Sequence, residues 1–265
     1  MFSGIMDTRI SPVGLGTYGL GGRQSASDIW DEQHTDAIKY AISKGINVID
    51  TAEMYGAGHT EELVGKAISS FRRDDIYIIS KVWPSNLARK RLFLSAESSL
   101  KRLGTDYIDL YLIHWPSQSV PLDETIGAML DLKNTGSVRE IGVSNFSIDL
   151  LDQAIDYAGK GHIAANEIEL NLDNLKNNIE MIDYCRKNGV KIIAYSPLSR
   201  GNISHDSRIR EYAKKYGATE AQIILRYLME FSLPIPKSAN RLHIDEIVGS
   251  AKIKLSAEDI HNLSK

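Results

Sequence analysis

The sequence predicts a single (β/α)8 barrel, a TIM-barrel α/β fold, spanning residues 1–265. Three observations carry that reading. Short β-branched apolar runs alternate with longer amphipathic segments along the whole chain, the pattern of parallel strands covered by helices. The series holds eight candidate strands, and eight units joined by right-handed crossovers close into a barrel. No Pro/Gly/Ser-rich linker or low-complexity stretch divides the chain, and its length suits one barrel. An open doubly wound sheet is the alternative fold.

The strand series opens with ISPVGLG (10–16) and continues with INVID (46–50), IYIIS (76–80), YIDLYLI (107–113), VREIGV (138–143), IAANEI (163–168), VKIIAY (190–195) and LPIP (233–236). Helices are expected between them. DEQHTDAIKYAISKG ends at Gly45, LARKRLFLSAESSLKRLG at Gly104, DETIGAMLDLKNTG at Gly136 and LKNNIEMIDYCRKNG at Gly189. Glycine suits the residue after a helix because it adopts the left-handed conformation without a Cβ clash. HTEELVGKAISSF is expected to start at Thr60, ahead of acidic residues that suit a helix N-terminus. Ser147 is the expected cap of the helix in SIDLLDQAIDYAGK (147–160), while TEAQIILRYLMEF and RLHIDEIVGSA bracket the last strand.

Composition excludes several classes. The formal net charge of −3 argues against a phosphate-backbone partner. The basic run Arg89, Lys90, Arg91 reads as the solvated face of a helix. Neither a secretory leader nor an apolar run of membrane-spanning length is evident, so a cytoplasmic protein with no membrane partner is expected. A single cysteine, Cys185, allows no internal disulfide and reads as a buried structural thiol. No metal-ligand spacing is present. GLGTYG places Gly14, Gly16 and Gly19 as a literal GxGxxG, with Asp36 downstream. The dinucleotide fingerprint needs a helix to start at the third glycine. The chain instead continues LGGRQSAS, so this is read as a loop.

Active sites of (β/α)8 barrels lie at the C-terminal ends of the strands. There the sequence places Asp50, Glu53 and Tyr55, then Lys81 and Trp83, His114 and Trp115, Ser144 and Asn145, Glu167, Tyr195 and Ser196, and Lys237 and Ser238. Singly, each suits a solvated loop or a satisfied interior group. Jointly, an acid, a phenol, an amine and an imidazole converge on one rim with tryptophans beside them, which makes a site. A Lys81 ammonium would favour the Tyr55 phenolate and lower its pKa. Asp50 would hold Lys81, Tyr55 would serve as general acid or base, and His114 would orient a substrate oxygen.

At these residues the chain resembles the aldo-keto reductase superfamily, in a short-loop, prokaryotic-like form. The matching motifs are GLGTYG, INVIDTAEMYG, ISKVWP, DLYLIHWP, GSVREIGVSNF, NEIELN, IIAYSPLSRG and IPKSAN. The resemblance implies a catalytic tetrad of Asp50, Tyr55, Lys81 and His114. It implies NADP(H) across the rim, with NAD(H) as the weaker alternative. Tyr195 would stack on the nicotinamide, Ser144, Asn145 and Glu167 would face its carboxamide, and Gly16 and Thr17 would lie near its ribose, beside Asp50. Ser196 and Leu198 would line the pyrophosphate, and Lys237, Ser238 and Arg241 would meet the 2′-phosphate. Tyr18, Trp83, His114 and Trp115 would wall the pocket of a small carbonyl or alcohol substrate, in a protein expected to act as a monomer.

Three departures from the family pattern shape the expectations. Glu167 stands where glutamine is common. An ionised carboxylate there would favour the oxidised, cationic cofactor, unless strand alternation turns Asn166 inward instead. His243 and Ile247 replace arginine and asparagine at the adenine end. The loops HWPSQSVPLDET and SPLSRGNISHDSR are short, which predicts an open, shallow pocket and broad aldehyde acceptance. Alternative functions are sugar or alcohol oxidation by the same chemistry, a Schiff-base aldolase using Lys81, and a cofactor-binding regulatory barrel with little turnover.

Overall fold

A computed structural model describes residues 10–201 and 207–264. It contains eight parallel strands in sequential order, β1 (Leu15–Gly16), β2 (Val48–Asp50), β3 (Tyr77–Val82), β4 (Ile108–Ile113), β5 (Val138–Ser144), β6 (Ile163–Glu169), β7 (Lys191–Tyr195) and β8 (Leu233–Pro234). The sheet closes where Gly14 N donates to Pro234 O at 2.9 Å and Gly16 N to Pro236 O at 3.0 Å. The (β/α)8 barrel is therefore the fold, and the open sheet is excluded.

Helices α1 (Asp31–Ser43), α2 (His59–Ile68), α3 (Arg89–Leu103), α4 (Leu122–Asn134), α5 (Ile148–Ala158) and α6 (Ile179–Asn188) cover successive strands. Gly104 and Gly189 end α3 and α6 in the left-handed conformation. Ser147 caps α5 by accepting from Leu150 N. Arg89, Lys90 and Arg91 form the exposed first turn of α3. Cys185 is buried, and burial pushes its thiol up to about 12.

The chain departs from expectation in two places. Helix α2 starts at His59, not Thr60, because Gly58 at φ 97° turns the chain into the helix. The Thr60 hydroxyl instead donates to Leu20 O at 2.5 Å, tying α2 to the loop after β1. After β7 come two helices, α7 (Ser207–Tyr216) and α8 (Glu220–Leu228), and after β8 two more, α9 (Arg241–Ser250) and α10 (Ala257–Leu263). Helix α7 buries Ile209 and Ala213 and is otherwise largely polar, which hides it from an apolar-periodicity reading. Helix α10 is held by Asp259, which accepts from Lys215 Nζ at 2.7 and 2.8 Å and from the Tyr216 hydroxyl. Residues 202–206 of the loop after β7 lie outside the described residues. No helix among the described residues is long and apolar enough to cross a membrane.

One buried ion pair couples the helix layer to the barrel. Glu61 on α2 accepts from Arg102 Nε on α3 at 2.7 Å and from Ser80 Oγ on the outer face of β3 at 2.6 Å. Arg102→Ala would strand the Glu61 carboxyl without its cation. It is expected to destabilise the fold by about 3 kcal/mol, read as a lower urea midpoint at unchanged m-value.

Candidate active site

Side chains two residues apart on a strand share a face. Val48, Ile79, Leu112, Ala165 and Ile193 point inward and pack as an apolar layer inside the barrel. Two residues further on, the same inner faces carry Asp50, Lys81, His114, Glu167 and Tyr195. The candidate site is thus the next layer up, resting on a dry floor. Parity on β6 is also settled. Asn166 points outward, donating to Phe146 O at 3.1 Å and lying near Met181 Sδ, while Glu167 points inward.

Tyr55 comes from the loop after β2. Gly56 at φ 57° and Ala57 at φ 53° turn the chain sharply after it. Glycine is required at 56, because a Cβ there would lie 2.7 Å from Gly21 O. Gly56 N donates to Arg23 O at 2.8 Å, so the loop docks on the loop after β1. That glycine loop runs from β1 to α1 without a helix at Gly19, as its sequence predicts.

Lys81 is fully buried at the centre. Its Nζ donates to Asp50 Oδ1, to Thr51 O at 3.1 Å and to the Tyr55 hydroxyl at 3.4 Å, and lies 3.3 Å from Glu167 Oε1. Burial works against the ammonium, yet Asp50 and Glu167 outweigh it and raise the Lys81 pKa above its ordinary value. Burial also raises the Tyr55 phenol, with Lys81 pulling the other way. The net lowering expected from Lys81 is therefore absent: removal of the phenolate from water is the larger effect. Burial, reinforced by Lys81, depresses His114 to about 3, leaving a neutral imidazole whose Nδ1 is buried and without a hydrogen-bond partner among the described residues. Glu167 is pushed up to about 8, first by burial and then by Asp50. It is not the ionised carboxylate expected at neutral pH.

The aromatic wall is partly assembled. Tyr18 meets Tyr55 edge-on at 5.1 Å, Tyr55 meets His114 at 5.7 Å, and Trp83 meets His114 at 5.1 Å. Trp115 stands exposed beside them without a ring contact to the cluster among the described residues. Ser144 Oγ donates to Glu167 O at 3.0 Å, and Asn145 Nδ2 to His114 O at 3.1 Å. Asn145 holds φ 62°, and its Oδ1 accepts from the Tyr195 hydroxyl at 2.9 Å, pinning β5 to β7. Thr17 Oγ1 donates to Asp50 O at 2.7 Å, and Gly16 pairs with Asp50 in register. Ser196 also has positive φ, at 50°, whereas Leu198 packs against the core.

A second recess lies past β8. Lys237, Ser238, Ala239, Asn240, Arg241 and His243 face Glu32, Gln33 and Asp36 of α1 across a cleft of about 800 Å³. Lys237 is exposed, and the Arg241 guanidinium sits 4.9 Å from the Tyr40 ring centre. Ile247 is buried in the core and is not among the residues that line this cleft.

Two contributors escaped sequence reading. Glu53 was visible at the rim without a role; its Oε1 accepts from Trp83 N at 2.6 Å and from Asn86 Nδ2 at 3.0 Å, and Ser95 Oγ donates to Oε2, so it clamps the loop after β3. Thr51, whose carbonyl receives Lys81, sits directly after Asp50 and carries no signal beyond adjacency.

Known proteins match nearly the whole chain. Methylglyoxal reductase DkgB of Yersinia pestis is 36% identical over 256 residues, covering 95% of this chain and 91% of that protein. The thermostable aldo-keto reductase Tm1743, solved with the inhibitor epalrestat, superposes with a TM-score of 0.91 at 44% identity, over 96% of this chain and 94% of that one. An aldo-keto reductase from Klebsiella pneumoniae, solved with NADPH, superposes at 0.86 with 33% identity, over 96% and 90%. With residues 12–265 also matching the family as a whole, the chain belongs to the aldo/keto reductase family.

Proposed function

We propose that this protein reduces small aldehydes and ketones with NADPH, Tyr55 supplying the proton. The carrying observation is the buried Tyr55 hydroxyl within 3.4 Å of the Lys81 ammonium. A phenol kept protonated by burial is the correct form for a donor. As the carbonyl oxygen takes the proton, negative charge develops on the phenol oxygen, and the Lys81 ammonium stabilises it there. The Asp50 carboxylate keeps Lys81 charged, and Glu167 lies 3.3 Å from the same Nζ. Neutral His114 orients the carbonyl by hydrogen bonding.

The residues fit a nicotinamide dinucleotide phosphate, which supplies the hydride when bound. Lys237, Ser238 and Arg241 offer cationic and hydroxyl donors suited to a 2′-phosphate, and relatives solved with NADP or NADPH support the choice. Ser144 and Asn145 are available to the carboxamide, Tyr195 to the ring face, Thr17 to the ribose, and Ser196 and Leu198 to the pyrophosphate. Exposed Tyr18 and Trp115 suit an open pocket, and methylglyoxal reductases among the relatives point to small dicarbonyls. The aldolase reading loses support, because a Schiff-base lysine needs a neutral amine and Lys81 is held charged.

The test follows absorbance of NADPH and NADH with methylglyoxal, simple aldehydes, ketones and sugars. NADPH consumption with small aldehydes is expected; cofactor oxidation with none of them would overturn the proposal. For the cleft, Lys237→Ala is expected to raise the NADPH dissociation constant at least about tenfold, the worth of one charge-assisted hydrogen bond. NADH binding should barely change. Fluorescence titration checks both, and parallel losses for the two cofactors would remove Lys237 from the 2′-phosphate.

A further inference from the structure

We infer that Glu167 is a proton switch keyed to cofactor oxidation state: it holds a proton shared with Asp50 in the free protein and releases it when the oxidised cofactor binds. The inference rests on the cofactor reading above and extends it to a proton that carbonyl reduction itself does not require.

The geometry supplies the reason. Asp50 from β2 and Glu167 from β6 both reach the single Nζ of Lys81 on β3. All three side chains are buried. The remaining titratable groups about this point are the Tyr55 phenol, His114 beyond β4, and Tyr195 on β7. Burial keeps the two phenols and the imidazole neutral, and β5 contributes only uncharged Ser144 and Asn145. Among the described residues, Lys81 is thus the one cation that both carboxyls reach. Two carboxylates sharing a dry site do not both ionise, so one proton stays. Glu167 Oε2 is buried without a hydrogen-bond partner among the described residues, a position far less costly for a carboxylic acid than for a carboxylate.

A cationic nicotinamide changes that balance. A second positive charge nearby favours the fully ionised pair, and Glu167 passes its proton to solvent. The reduced ring is neutral and leaves the proton in place. A glutamine at 167 has no proton to release. The linkage has a definite sign. With Glu167 pushed up to about 8 in the free protein, affinity for NADP+ rises with pH up to that value and levels off above it. On the acid side it falls by up to about tenfold per pH unit. Affinity for NADPH lacks this component.

Calorimetry at pH 7 in two buffers of different ionisation enthalpy counts the protons released by NADP+ and by NADPH. Titration of the 2′-phosphate is common to both and cancels in the difference. The unmodified chain is expected to release up to about one proton more with NADP+. Its NADP+/NADPH dissociation-constant ratio should fall several-fold between pH 6 and pH 8. Both effects should vanish in Glu167→Gln. They should vanish independently in Asp50→Asn, where one carboxylate faces one ammonium and no proton is retained. The far-UV circular dichroism and cooperative urea unfolding of each variant report its folded state. Equal proton counts in the unmodified chain, or an excess surviving in Glu167→Gln, overturn the inference while leaving the functional reading intact. Failure of both cofactors to bind the unmodified chain overturns the functional reading and this inference together.

Discussion

Tyr55→Phe is expected to lower kcat for carbonyl reduction by about three orders of magnitude, within the range that a positioned general acid contributes. The substitution removes one hydroxyl and keeps the ring. Its edge contacts with Tyr18 and His114 survive, so the loop turning at Gly56 keeps its place. Cofactor dissociation constants should stay within about twofold, since nothing that would hold the cofactor is lost. The measurement is steady-state kinetics beside fluorescence titration on the same preparation. A variant retaining most of its activity would show that the proton comes from another group, with His114 or a water the next candidates.

Lys81→Met is expected to act on two properties at once. Catalysis should drop by about two orders of magnitude or more, because the ammonium no longer stabilises charge on the Tyr55 oxygen. Any residual alcohol oxidation, which needs the phenolate, should move to higher pH. Stability should also fall, by about 3 kcal/mol or more near neutral pH, as Asp50 and Glu167 lose their buried counter-ion. Both carboxyls already have pKa values raised above their ordinary range, and loss of Lys81 raises them further. A carboxyl whose pKa is raised on folding binds more protons folded than unfolded, so stability falls as pH rises from the unfolded value toward the folded one. The deficit should therefore widen from pH 5 to pH 8 and above. Chemical denaturation at several pH values, together with the pH–rate profile, checks both limbs. A wild-type rate and profile would make Lys81 a bystander; a pH-independent stability loss would mean the carboxyls are not the cause.

Strand order, the barrel and the strand-end residues were legible because each rests on local pattern. Parallel strands buried on both faces read as β-branched apolar runs. Gly104 and Gly189 mark helix ends because only glycine enters the left-handed region freely. Asp50, Lys81 and His114 are found by counting to the end of such a run. Other features depend on cancellation or on distance along the chain. Thr60 has the sequence of a helix cap, yet its hydroxyl is taken by Leu20 O, forty residues away. Ile247 sits on α9 near the cleft residues and turns into the core instead.

The site shows the same division most sharply at β6. A strand alternates faces every residue, so NEIELN offers Asn166 and Glu167 as equally good inward residues, and sequence alone leaves that parity open. The sequence by itself determined that a carboxylate, a phenol, an amine and an imidazole stand at strand ends of one barrel, because strand ends are local. Only the tertiary structure decided that Glu167 faces inward and shares the Lys81 ammonium with Asp50. That contact spans from β6 to β3 across the barrel interior, so it depends on register and curvature accumulated over the closed sheet. The protonation states followed from it, since charge in a dry interior is set by what lies within a few ångströms in space, whatever its position along the chain.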